Sequence, residues 1–185
     1  MDRDDWGAPE RKFHRPEAGL VVHDGTRVEG YASLFGRRDQ GGDVVRSGAY
    51  AASLKALGAA GRRVKMLWQH DPAQPIGVWD EVREDATGLW VKGRILTEVE
   101  KGREAAALLA AGAIDGLSIG YRTVQAERDG KGQRVLSELD LWEVSLVTFP
   151  MLAEARVAAK SDALDATWND LAAMFDSARR SLADR

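Results

Sequence analysis

The chain has no cysteine, which removes disulfides, thiolate metal sites and a cysteine nucleophile from consideration and fits a reducing compartment. Histidine is scarce as well, with 3 in 185 residues: His14, His23 and His70. None has the close spacing of a zinc helix or finger, so no metal or other cofactor is expected. No apolar run approaches the roughly 20 residues that span a bilayer. The start, Met1-Asp2-Arg3-Asp4-Asp5-Trp6, lacks the apolar core of a signal peptide. The expectation is a soluble chain made in the cytoplasm without membrane contact. One-sided charge is missing too: 26 basic and 29 acidic residues are mixed along the sequence for a net charge of −3. That balance gives no footprint for nonspecific nucleic-acid binding.

What is present suits one well-cored domain with terminal appendages, since 44% of the 185 residues are hydrophobic. Residues 1–17 have mixed charge, Gly7, Pro9 and Pro16, and no strand or helix period, which reads as a flexible arm. Leu20-Val21-Val22-His23 and Arg27–Ala32 flank Asp24-Gly25, a hairpin turn pair that places His23 at a surface strand end. Residues 36–45 read as a loop that lacks the Lys-Ser/Thr ending of a phosphate loop. Ser47 can cap a short helix from about Gly48 to Leu57, closed by Gly58. Val64–His70 reads as a strand with Val64, Met66, Trp68 and His70 on one face, ended by Asp71-Pro72-Ala73-Gln74-Pro75. Ile76–Glu84 and Leu89–Leu96 form a second hairpin. Thr97 and Glu100 have capping-box spacing for a helix through Ala111, stopped by Gly112.

Strands are then expected from Ser118 to about Glu127 and from Arg134 to Thr148. Alternation in the last strand groups Leu139, Leu141, Glu143, Ser145 and Val147 on one face, with Trp142, Val144 and Leu146 on the other. Both faces are largely apolar, as in a central strand, and Glu143 occupies a position that normally takes an aliphatic side chain. A carboxylate buried without a donor costs several kcal/mol, roughly, so Glu143 must find a partner. From Asp162 onward Leu164, Trp168, Leu171, Phe175, Ala178 and Leu182 recur at heptad-like steps, which predicts a C-terminal amphipathic helix suited to self-packing or to a partner.

Ser118 lies in Gly116-Leu117-Ser118-Ile119-Gly120-Tyr121. The letters match a nucleophile elbow, but that motif needs a strand-to-helix turn and a histidine after the serine, and no histidine follows Ser118. An α/β-hydrolase is therefore not the expectation. His70, Ser118 and Glu143 each fall on or beside an expected core strand and comprise a base, a nucleophile and an acid, the set required for acyl transfer. The same residues also have plain structural readings: a strand-end serine, a hydrogen-bonded core histidine, a glutamate paired with an arginine. Ser145, two residues beyond Glu143, is a rival nucleophile that spacing leaves open.

The wording around these residues is more specific than their spacing. Leu67-Trp68-Gln69-His70-Asp71-Pro72, Gly116-Leu117-Ser118-Ile119-Gly120-Tyr121 and Leu141-Trp142-Glu143-Val144-Ser145-Leu146-Val147-Thr148-Phe149-Pro150 closely resemble the prohead proteases of HK97-type tailed phages and related gene transfer agents. Val28–Phe35 and Gly42-Asp43-Val44-Val45 resemble that family's first strand and loop, so the likeness runs from about residue 27 to about 158.

The resemblance implies a mostly β fold with flanking helices: a closed, mainly antiparallel barrel of the herpesvirus-protease type, here at residues 18–160, with the amphipathic helix at 161–185. It implies a serine endopeptidase with Ser118, His70 and Glu143 as its triad. The implied substrate and assembly partner is the major capsid protein, cut in its scaffold-like N-terminal part inside the procapsid of a bacterial host, together with self-cleavage. The portal protein and a second copy of the chain are further partners that it admits. A member that keeps the fold but works only as a capsid-assembly factor, binding through the C-terminal helix, is the alternative.

Overall fold

A computed structural model of the chain describes residues 10–14, 21–39, 41–130 and 132–148. The expected C-terminal helix at 161–185 lies outside the described residues. The elements, in order, are β1 (Glu10–His14), β2 (Val21–His23), β3 (Arg27–Leu34), β4 (Asp43–Val45), α1 (Ala51–Ala59), β5 (Lys65–Trp68), β6 (Asp71–Glu84), β7 (Gly88–Ile95), α2 (Glu100–Ala110), β8 (Gly116–Arg128) and β9 (Arg134–Val147). The nine strands among the described residues join one sheet in the order β1-β8-β9-β5-β6-β7-β3-β2, with β4 attached to β9.

Most pairings are antiparallel, and β9 is the hub: it pairs antiparallel with β8 and parallel with β4 and β5. Register shifts in the β3–β7, β5–β6, β6–β7 and β8–β9 ladders mark bulges, which add local twist and bend the sheet. The sheet curls until β3 comes alongside β8 and β1. Among the described residues no ladder closes that seam, so the architecture is an open half-barrel and not the closed barrel expected from the resemblance. The concave side holds one apolar core that includes Val28, Met66, Trp79, Val91, Leu117, Ile119, Leu141, Val144 and Leu146. Trp79 ties two strands of this wall together, its indole N–H reaching Lys65 O at 3.2 Å on β5 and Val144 O at 3.1 Å on β9.

Several local expectations are corrected. Within the expected N-terminal arm, Glu10–His14 pairs antiparallel with β8. The loop at 36–45 contains β4 at its end. Ser47 and Thr97 cap nothing: Tyr50 and Val99 are the N-cap residues and neither helix has a side-chain cap bond. Helix α1 passes through Gly58 and ends at Ala59, closed by Gly61 at a φ of +63°. There the N–H of Arg62 bonds to Leu57 O and that of Gly61 to Gly58 O, a Schellman closure. Gly112 (φ +68°) ends α2 in the same way, as expected. The Asp24-Gly25 and Asp85–Gly88 hairpins form as read.

Pro72 and Pro75 do not end a strand but lie inside β6. They are tolerated because β7 begins to pair only at Gly77, which leaves this part of β6 an edge, and because the β5–β6 register is irregular there. The β9 alternation is also reset. Gly120 pairs with Glu143 while Tyr121 pairs with Leu141, so Trp142 is an extra residue on β9, and it is 42% exposed. The bulge moves Leu139 and Leu141 onto the core face with Val144 and Leu146. Glu143, Ser145 and Val147 are left together on the opposite face.

Candidate active site

That opposite face of β8 and β9 is where the chemistry-bearing side chains gather. Across the ladder Ser118 stands opposite Ser145, and Gly120 opposite Glu143. Directly opposed residues project to the same side of a sheet, so two serines and a carboxylate share one small surface. A Cβ at Gly120 would overlap the carboxyl group of Glu143. The second glycine of the Gly116-x-Ser118-x-Gly120 motif is thus the room in which Glu143 folds its head toward its neighbours.

His70 arrives from the other side of β9. Strand β5 runs parallel to β9 with Leu67 paired to Ser145, and it turns into β6 through Gln69 and His70 alone, since Trp68 pairs with Asp71. Both turn residues have positive φ, +52° and +64°, the pattern of a type I′ hairpin turn that usually takes Asn-Gly. Such a backbone costs about 1–3 kcal/mol per residue and persists only where its surroundings fix it. Gln69 N–H bonds to Leu146 O at 3.0 Å, and His70 N–H to Ser145 Oγ at 3.2 Å. The side chain of Gln69 reaches Thr148, its Nε2 donating to Oγ1 at 2.6 Å. His70 is therefore on a hairpin tip and not in the strand that its alternation with Met66 and Trp68 suggested. Gln-His is a poor turn cue, which is why the sequence hides it.

Three sequence-predicted residues meet here. His70 Nδ1 lies 2.5 Å from Glu143 Oε1 and Nε2 lies 2.6 Å from Ser118 Oγ. A carboxylate only accepts, so Nδ1 carries the proton and Nε2 presents its lone pair to the Ser118 hydroxyl. Ser145 Oγ donates to Glu143 Oε2 at 2.6 Å, so each carboxyl oxygen has a donor. The need of Glu143 for a partner is met by His70 and Ser145, not by an arginine. All four side chains are buried, with residue exposures of 0% for Ser118 and Ser145, 6% for His70 and 8% for Glu143. In such low-dielectric surroundings each hydrogen bond is stronger than in water, and a missing one costs more. Of the two candidate nucleophiles, Ser118 is the one bonded to the imidazole.

His23 ends β2, and His14 ends β1 opposite Leu117 in the ladder. Among the described residues no group of three or more His, Asp or Glu side chains is arranged to hold a metal ion. Nor is any helix among them long and apolar enough to cross a membrane. Sequence reasoning missed the accessory roles of Gly120, Gln69 and Ser145. The spacing of Gly120 two residues after the serine was the available signal for the first.

Comparison with known proteins gives three findings. The model of the family described as "Caudovirus prohead serine protease" matches residues 15–170. The prohead protease of Enterobacteria phage HK97 is 31% identical over 134 residues, which cover 71% of this chain and 58% of that protein. The chain thus spans less than two thirds of that relative's length. Among solved structures, the bacteriophage T4 capsid assembly protease matches with a TM-score of 0.61 at 15% identity, over 77% of this chain and 98% of that one. This last is a likeness of fold.

Proposed function

Because the chain belongs to the caudovirus prohead serine protease family, HK97-type members included, we propose that it is a serine endopeptidase with Ser118 as nucleophile, His70 as base and Glu143 as orienting acid. The observation that carries this reading is the continuous line of bonds from Ser118 Oγ through the His70 ring to Glu143. As Ser118 Oγ attacks the scissile carbonyl, its proton passes to Nε2. Glu143 stabilises the imidazolium and keeps Nδ1 protonated, so that Nε2 is free at the start of each cycle. The imidazolium then protonates the departing amine, and water repeats the sequence on the acyl-enzyme. A tetrahedral oxyanion in this path requires backbone or side-chain donors aimed at it.

The substrate of this reading is the scaffold-like N-terminal segment of a major capsid protein, cut inside the procapsid, with cleavage of the chain itself as a second event. Support comes from the HK97 relative, which is a prohead protease. The test is intact-mass analysis of the major capsid protein co-expressed with this chain, wild type beside Ser118→Ala, following both proteins. Truncation with wild type and none with Ser118→Ala is the expected result. Truncation by both would move the nucleophile elsewhere. Intact capsid protein in both, with shells still assembling, would favour an assembly factor that keeps the protease fold.

A further inference from the structure

We propose that Ser145 is a positioning residue that sets both the His70 turn and the Glu143 carboxylate, an inference that rests on the triad reading above. Ser145 is fully buried, yet its hydroxyl serves two masters: Oγ donates to Glu143 Oε2 at 2.6 Å and accepts the His70 backbone N–H at 3.2 Å. A hydroxyl has one proton and two lone pairs, so both bonds coexist. Its place in the sheet makes this possible. Ser145 pairs with Leu67 on one side, two residues before the turn begins, and with Ser118 on the other. It is the point of β9 about which base and nucleophile are arranged.

The two bonds constrain different freedoms. The bond to Oε2 fixes the rotation of the carboxyl group, whose other oxygen holds Nδ1. The bond from the His70 N–H pins a backbone at φ +64°, which decides where the ring starts from. Without the hydroxyl, a buried carboxyl oxygen and a buried N–H both lose a partner, and either adjustment draws Nε2 away from Ser118. A misplacement near 1 Å in such a site costs on the order of 100-fold in rate. The same geometry explains why Ser145 is not the nucleophile: its proton is committed to Glu143, and its bond to His70 is with the backbone nitrogen.

The test compares Ser145→Ala and Ser145→Thr in the full chain by two readouts. One is the rate at which a fluorophosphonate labels Ser118, followed by intact mass and peptide mapping. The other is the far-downfield proton NMR signal of His70 Nδ1–H, recorded in the Ser118→Ala background so that it does not depend on catalysis. Ser145→Ala is expected to slow labelling about 10- to 100-fold while the protein stays folded, and to shift or abolish the signal. Ser145→Thr, which keeps the hydroxyl, is expected to restore both; Ser145→Cys, a weaker donor of similar size, replaces it if the extra methyl unfolds the protein.

Labelling by Ser145→Ala at the wild-type rate, or slow labelling with an unchanged signal, would overturn the proposal. So would equal loss in the alanine variant and in a folded hydroxyl-bearing variant, because packing alone would then account for it. If wild type is not labelled at all, the peptidase reading fails by itself, and the NMR comparison still decides whether Ser145 holds the His70–Glu143 pair.

Discussion

Gly120 stands directly across the β8–β9 ladder from Glu143, and the volume a side chain would take there is filled by the Glu143 carboxyl group. Gly120→Ala therefore forces a choice between moving the strand and expelling the carboxylate from His70. Overpacking of this kind costs about 1–3 kcal/mol of stability. Peptidase activity is expected to fall at least about 10-fold, since the imidazole loses its orienting partner. Gly130→Ala is the control, because a methyl there meets open space. Thermal melts and cleavage rates of the two variants, measured side by side, check the claim. Equal activity in both would mean that the carboxylate position is not critical.

Glu143→Gln keeps the size of the side chain and changes one property. Its amide NH2 can donate to Nδ1, so the ring can settle with its proton on Nε2, facing Ser118, where it can no longer accept. The expected loss is roughly 10²- to 10⁴-fold in kcat, less than the complete loss in Ser118→Ala, with KM little changed because the acid does not touch substrate. Steady-state kinetics on purified capsid protein give both constants. Wild-type activity in Glu143→Gln would remove Glu143 from the triad.

The three residues of the proposed triad were legible because each is an odd residue in its place: a carboxylate in an aliphatic position, a serine between glycines in a β run, a histidine among core residues. Their meeting was not legible, since it depends on β5 and β8 both flanking β9, a parallel pair on one side and an antiparallel pair on the other. Periodicity found β9 but put Leu139 and Leu141 on the wrong face, because a single bulged residue, Trp142, inverts the alternation just before it. Proline signals misplaced the start of β6 for a related reason: proline forbids a ladder bond, and an edge segment needs fewer of them. Barrel closure is a property of two distant edges, and no local pattern reports it.

Asp85 gives the fold a pH dependence away from the site. Burial pushes its carboxyl up, but the N–H groups of Thr87 and Gly88, the Tyr31 hydroxyl at 2.8 Å and the Arg83 guanidinium together outweigh it and hold the pKa at about 2, below the ordinary 3.8. A carboxyl depressed on folding adds stability above its unfolded pKa, and that stability is lost as pH falls through the folded value. Asp85→Asn should be less stable than wild type at neutral pH, and the gap should close between about pH 4 and pH 2. Denaturant midpoints of both proteins across that range provide the measurement. A gap independent of pH would assign the loss to geometry and not to charge.

Gln69 couples the turn that carries His70 to the chain that leaves β9. Its Nε2 donates to Thr148 Oγ1 at 2.6 Å, Thr148 N–H approaches Gln69 Oε1 at 3.4 Å, and its own N–H bonds to Leu146 O at 3.0 Å. The side chain thus helps keep residue 69 in a left-handed conformation that glycine would adopt freely. Two substitutions separate these effects. Gln69→Ala keeps the backbone strain and removes the side-chain bonds, so it should lose stability, by about 1–2 kcal/mol, and activity as the turn relaxes. Gln69→Gly removes the same bonds but relieves the strain, so it should recover part of that stability while activity stays low, because a freer turn no longer aims His70 at Ser118. Melting temperatures and cleavage rates of the pair check this split. If Gln69→Gly recovers both together, the side chain matters only as compensation for strain, and the Thr148 clamp has no part in holding the base.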